Sequence, residues 1–121
     1  MKHFSSLGKT WLLDVDGTLV RHNGYLNGQD VLLPGVAEFL RTIPQTDRII
    51  LLTSRKKEYK EGLTAFLAAH NLRYNEIIFD LPPGERILIN DCKPSGLEMA
   101  YAVNKQRDAP LEFEWIIDEK L

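Results

Sequence analysis

The chain has a single cysteine, Cys92, among its 121 residues, so no internal disulfide can form. That fits a reducing compartment, and a cytoplasmic location is expected. Long apolar runs are also missing: none approaches the roughly 20 residues that span a bilayer. The first nine residues, Met1 to Lys9, contain no continuous apolar stretch of the secretory kind. Nor is either charge in strong excess. Lys and Arg number 15 against 17 Asp and Glu, a net charge of −2, which argues against nucleic-acid binding by bulk electrostatics. His3, His22 and His70 lie too far apart for metal-ligand spacing. No repeat, low-complexity tract or linker interrupts the chain. What remains is ordinary globular usage, 44% hydrophobic and 26% charged. One domain over residues 1–121 is expected, burying roughly two thirds of its unfolded surface.

Asp14-Val15-Asp16-Gly17-Thr18-Leu19 follows the apolar run Trp11-Leu12-Leu13. In an extended chain, residues i and i+2 point to the same side, so Asp14 and Asp16 can face one pocket at a strand's carboxyl end. Two neighbouring carboxylates repel unless positive charge sits beside them, which points to a divalent cation. Hard oxygen ligands suit Mg²⁺. A plain Asp-Gly turn after a strand is the competing reading.

Further along, strand and helix signals alternate. Residues 10–14 read as a strand, and the Gly- and Asn-rich residues 19–33 as a loop or small hairpin. A helix opens at Pro34, with Val36, Phe39, Leu40 and Ile43 on one stripe, and stops at Pro44. Residues 48–53 suit a parallel strand covered on both faces. A helix over 57–70 follows, with Asn71 as a left-handed cap. Strands are expected at 76–79, 86–89 and 112–117, and a helix from Pro94 to about Asn104. The fold class is α/β: a Rossmann-like three-layer sandwich on a mostly parallel sheet of about five strands.

In such sheets ligands bind beyond the carboxyl ends of the strands. The first strand ends in Asp14, the second in Thr53-Ser54 and the fourth in Asn90-Asp91. As neighbours they would bring three carboxylates and two hydroxyls into one pocket. Taken singly, Thr53 could merely end a strand or cap a helix, and Asp91 could be a turn residue before Pro94.

Asp14-x-Asp16-Gly-Thr after an apolar strand, Thr53 ending a second and Asp91 ending a later one together resemble the signatures of the haloacid dehalogenase superfamily of phosphohydrolases. The resemblance runs from Trp11 to about Asn104. It implies that Asp14 attacks phosphorus to form an aspartyl-phosphate, and that Asp16 carries the proton of the leaving group and then of the water. It also implies that Asp14, Asp16 through its backbone carbonyl, and Asp91 hold Mg²⁺. Thr53, Ser54 and the Gly17-Thr18 turn would bind phosphoryl oxygens.

The chain departs from the superfamily pattern in one respect. The expected cation before the fourth strand falls near Pro82, where no lysine stands. Lys93 is the first choice to replace it and Arg86 the second, with Arg55 a third candidate. Cys92 reads as a buried, inert thiol. The loop holding Arg21, His22, Asn23 and Tyr25 could hang over the pocket. Neither residues 19–33 nor the turn at 80–85 is long enough for a cap domain, so the pocket is expected to be open unless a second copy closes it in a homo-oligomer. The expected function is Mg²⁺-dependent phosphomonoester hydrolysis of a sugar phosphate or related metabolite, with no nucleic-acid or membrane partner. Two alternatives are a non-catalytic Mg²⁺- and phosphate-binding module and, more remotely, a phosphotransferase, which would need a lid to exclude water.

Overall fold

Strand β1 (Lys2–Phe4) opens the chain, and β2 (Thr10–Asp14) follows. The computed structural model describes residues 1–121. Helix α1 (Val36–Thr42) leads into β3 (Arg48–Leu52), and helix α2 (Lys60–Ala69) into β4 (Glu76–Ile78). A last strand, β5 (Trp115–Ile117), pairs with β1.

The main sheet has the order β2-β3-β4, with every pairing parallel. Its register sets Asp14 against Leu52 and Leu52 against Ile78, so the three strands end level. Backbone bonds carry the ladder one step further, from Val15 N to Leu52 O (3.0 Å) and from Thr53 N to Ile78 O (3.0 Å). The residues that follow each strand therefore meet at one edge.

The core explains the helices. Val36, Phe39, Leu40 and Ile43 from the first crossover and Leu63 and Leu67 from the second pack with Val15, Leu19, Ile49 and Leu51. Burying each such side chain contributes about 1.5–3 kcal/mol. Asn71 does take the left-handed conformation after α2, with φ 54°. Gly35 precedes α1 at φ 84°, where a side chain would also collide with the Leu111 carbonyl. The helix begins at Val36 and leaves Pro34 outside.

The two sheets meet through aromatic rings. Trp11 lies 5.1 Å from Trp115 and 5.7 Å from Phe39, and Phe4 touches Trp11, Phe113 and Trp115. Such pairs add about 0.5–1.5 kcal/mol each beyond the area they bury. The Trp11 indole also donates to Asp47, which is buried.

The chain is α/β, with parallel strands in two sheets and two α-helices. It differs from the expected single sheet of about five strands. Residues 86–89 form no strand: Ile87 and Ile89 are 83% and 91% exposed. An apolar run becomes a strand only where a neighbour pairs its backbone, and this one has none. Residues 94–104 form no helix. Gly96 sits at φ 93° in a turn closed by its N–H to the Lys93 carbonyl, a conformation a right-handed helix cannot include. Within β3, Ile49 and Leu51 are buried while Ile50 and Leu52 are half-buried, so one sheet face is packed more fully than the other. The extent expected for the last strand shrinks to Trp115–Ile117, and its partner β1 comes from a terminus for which no strand was expected. Cys92, expected to be buried, is exposed. No helix is long and apolar enough to cross a membrane.

Candidate functional site at the carboxyl edge of the sheet

Asp14 and Asp16 leave the end of β2 on either side of the buried Val15, and each meets its own set of partners. One oxygen of Asp14 accepts the Thr18 hydroxyl at 2.9 Å, and the other accepts Arg86 Nη1 at 2.6 Å. Both members of that ion pair are about a third exposed (34% and 36%), so water and ligands reach it.

Asp16 is held differently. Its Oδ2 accepts the Thr53 hydroxyl at 2.8 Å, and its Oδ1 accepts Arg55 Nε at 3.0 Å and lies 2.9 Å from Nη2. Arg55 reaches on to Asp30, donating from Nη1 at 3.0 Å and from Nη2 at 2.6 Å. Its guanidinium stacks 3.9 Å from the centre of the Tyr25 ring, which in turn meets Tyr59 edge-on at 4.9 Å. The Arg55 side chain is 1% exposed and that of Asp30 5%. Burial alone would weaken the guanidinium's hold on its proton, but the bonds to Asp30 and Asp16 outweigh it and the pKa is raised. Tyr25 is raised as well, by burial and then by the nearby Asp16.

The turn after Asp16 depends on Gly17. Its φ is 86°, its N–H donates to Val20 O at 2.7 Å, and a side chain there would press on Arg107 at 3.2 Å. Gly17 O accepts Asp108 N (2.9 Å) and Lys105 Nζ (3.2 Å), so a distant part of the chain is bound into the site. The Lys105 pKa is lowered, mainly by desolvation, while the charges of Asp108 and Asp14 oppose that shift.

The edge thus gathers Asp14, Asp16, Gly17, Thr18, Thr53 and Arg86. Thr53 is fully buried, and its hydroxyl already donates to Asp16 and accepts from Arg55 N. Ser54 is exposed beside it. Of the cations considered, Arg86 rather than Lys93 reaches Asp14; Lys93 is exposed in the turn closed at Gly96. Arg55 instead serves Asp16. Asp91 is exposed in the irregular segment, and nowhere do three His, Cys, Asp or Glu side chains converge to hold a metal ion. Asp14 already meets Arg86 and Thr18, and Asp91 is not gathered with Asp14 and Asp16, so the expected set of Asp14, the Asp16 backbone carbonyl and Asp91 is not assembled around one point. The strand that was to deliver Asp91 never pairs, which is the physical reason.

Asp30, Lys105 and Asp108 were not anticipated. Asp30, placed just before Val31-Leu32-Leu33, carried a faint signal as a charge at the border of an apolar run. Lys105 and Asp108 carried none.

Parallel strands joined through helices, with a charged cluster at their carboxyl edge, define an α/β chain with a strand-edge site. Neither a family model nor a curated protein matches the chain. Among solved structures, a chain in "Structure of Pnkp1/Rnl/Hen1 complex" is similar, at 30% identity and a TM-score of 0.52. The match covers 69% of this chain and 32% of that one, so this chain spans about a third of its neighbour's length. These findings correct the resemblance to the haloacid dehalogenase superfamily: the likeness runs to a chain of that complex, and no family model supports the superfamily.

Proposed function

We propose that residues 1–121, acting as one cytoplasmic domain, hydrolyse phosphate monoesters at the strand edge. The observation that carries this reading is Asp14: a partly exposed carboxylate at the end of a parallel strand, facing an arginine that can exchange it for a phosphate. In the proposed reaction an Asp14 oxygen attacks phosphorus, the bond to the leaving oxygen breaks, and an aspartyl-phosphate forms. Water then attacks phosphorus and releases inorganic phosphate with Asp14 restored. Arg86 balances phosphoryl charge throughout. Asp16 is the proposed proton carrier. For that task one of its oxygens must exchange Thr53 or Arg55 for the leaving group. No step is assigned to Mg²⁺.

The open edge favours a sugar phosphate or a similar small metabolite, or a second copy of the chain that closes it. The test is hydrolysis of an aryl phosphate by the wild type, Asp14→Asn and Asp16→Asn, each with Mg²⁺ and with a chelator. Turnover lost in both variants supports the reading. Turnover retained by Asp14→Asn sinks it.

A second reading is a phosphate-binding module without turnover. It is favoured by Asp16, whose two oxygens are both committed to Thr53 and Arg55. The similar chain's place in a Pnkp1/Rnl/Hen1 complex suggests that such a module would work as part of an assembly. Tight binding of inorganic phosphate with no turnover on a panel of esters selects this second reading.

A further inference from the structure

The geometry points to Lys105 as a phosphate-binding residue of the Asp14 site, presented just ahead of a turn at 106–109 that is built onto the Gly17 loop. This inference rests on the strand edge binding a phosphoryl group and adds a residue that the sequence did not mark. Lys105 Nζ donates to Gly17 O at 3.2 Å and to Gln106 O at 3.0 Å. An ammonium has three N–H donors, so two fix its position and the third remains for a ligand. Its bond to Gly17 O sets the ammonium against the turn that directly follows Asp14 and Asp16.

The turn is held on both sides. Asp108 N donates to Gly17 O at 2.9 Å, and the Asp108 carboxylate accepts His22 N at 2.8 Å. Ala109 N closes the turn on Gln106 O at 3.2 Å, and Leu111 N bonds Pro34 O at 2.9 Å just beyond it. Arg107 stands where a side chain at Gly17 would press on it at 3.2 Å. Four attachments across some ninety residues of sequence are more than an incidental surface contact requires. They set a cation beside the loop that follows Asp14 and Asp16. An anion arriving at Asp14 would then meet Arg86, with Lys105 beside the adjoining Gly17 turn.

Binding of inorganic phosphate to the full chain, measured by titration calorimetry, tests this directly. Lys105→Met is expected to weaken it about tenfold, the loss of one charge-assisted hydrogen bond. Lys105→Arg should recover most of that loss, and Lys120→Met, on an exposed lysine elsewhere, should change nothing. Asp108→Ala keeps the lysine but frees the turn, so it should weaken binding in the same direction. Where turnover is measurable, the Lys105→Met effect should fall chiefly on KM. Thermal unfolding of each variant separates loss of binding from loss of fold, and Lys105→Gln serves if Lys105→Met does not fold. Unchanged phosphate affinity in a folded Lys105 variant overturns the inference, whatever the enzyme's activity. Lys105-dependent binding without any turnover upholds it and rejects the hydrolase. Turnover together with Lys105-independent binding does the reverse.

Discussion

Asp14 and Asp16 stand two residues apart, and each carboxylate is paired with an arginine, yet the two pairs are built for different ends. The Asp16–Arg55–Asp30 knot is buried at Arg55 and Asp30 and partly buried at Asp16, every guanidinium nitrogen is bonded, and Tyr25 covers its face. The Asp14–Arg86 pair is about a third exposed and rests on one arginine nitrogen donated from a segment without regular structure. Removing charges from water is costly, and a buried pair survives only if the protein replaces the lost solvation bond for bond. The knot does this and so ties residues 16, 30 and 55 together. The outer pair keeps part of its water and can trade its partner for an incoming anion at little cost. Burial, rather than residue type, separates the tightly held pair from the one open to an incoming anion.

The largest effect that would break this comparison is expected at Arg55. Arg55→Met leaves the buried Asp30 carboxylate and the partly buried Asp16 without their cation and should cost about 3–5 kcal/mol. Chemical denaturation measures it; a loss under about 1 kcal/mol would mean that the knot is not structural. Gly17→Ala comes next. It forces a positive φ on a residue with a side chain and presses on Arg107, for about 1–3 kcal/mol, and it should weaken phosphate binding by shifting the loop. Thr53→Val removes the hydroxyl that links Asp16 to the Arg55 backbone, at about 1–3 kcal/mol. Arg86→Ala should scarcely alter stability, by less than about 1 kcal/mol, because exposed pairs contribute little. The same variant should lower phosphate affinity several-fold. A stability loss as large as that of Arg55→Met would erase the distinction between the pairs.

The smallest expected effect belongs to another partly exposed acid. Asp118, at the end of β5, accepts Lys120 N and His3, and its pKa is lowered, first by the Lys120 backbone bond and then by His3. A carboxyl lowered on folding adds stability above its unfolded pKa and loses it as pH falls through the folded one. Wild type should therefore lose a little more stability than Asp118→Asn on acidification below the usual carboxylate range. Parallel pH profiles in denaturation experiments would remove Asp118 from the account.

Much of the scaffold was legible because it depends on local patterns. The apolar runs at β2, β3 and β4, the stripe of Val36, Phe39 and Leu40, and Asn71 after α2 each announce an element within a few residues. Carboxylates at i and i+2 after a strand, and a threonine ending the next one, mark the site edge for the same reason. Residues 86–104 misled because an apolar run and a proline start signal look alike whether or not a partner exists to pair or cover them. Arg55 was visible only as a spare cation, since its task depends on Asp30, 25 positions earlier.

By itself, the sequence determined where the strands of the main sheet run, that they lie parallel, and which acids stand at their ends. Periodicity and turn chemistry act over a few residues, and those features need nothing more. Only the tertiary structure decided that Asp16 is bound into a buried knot while Asp14 stays open. It also brought Arg86 and Lys105, rather than Lys93, to the loop and carboxylate at the end of β2, and left Asp91 outside. Those outcomes depend on which distant segments meet and how much water is excluded where they do, and neither quantity is carried by any short stretch of chain.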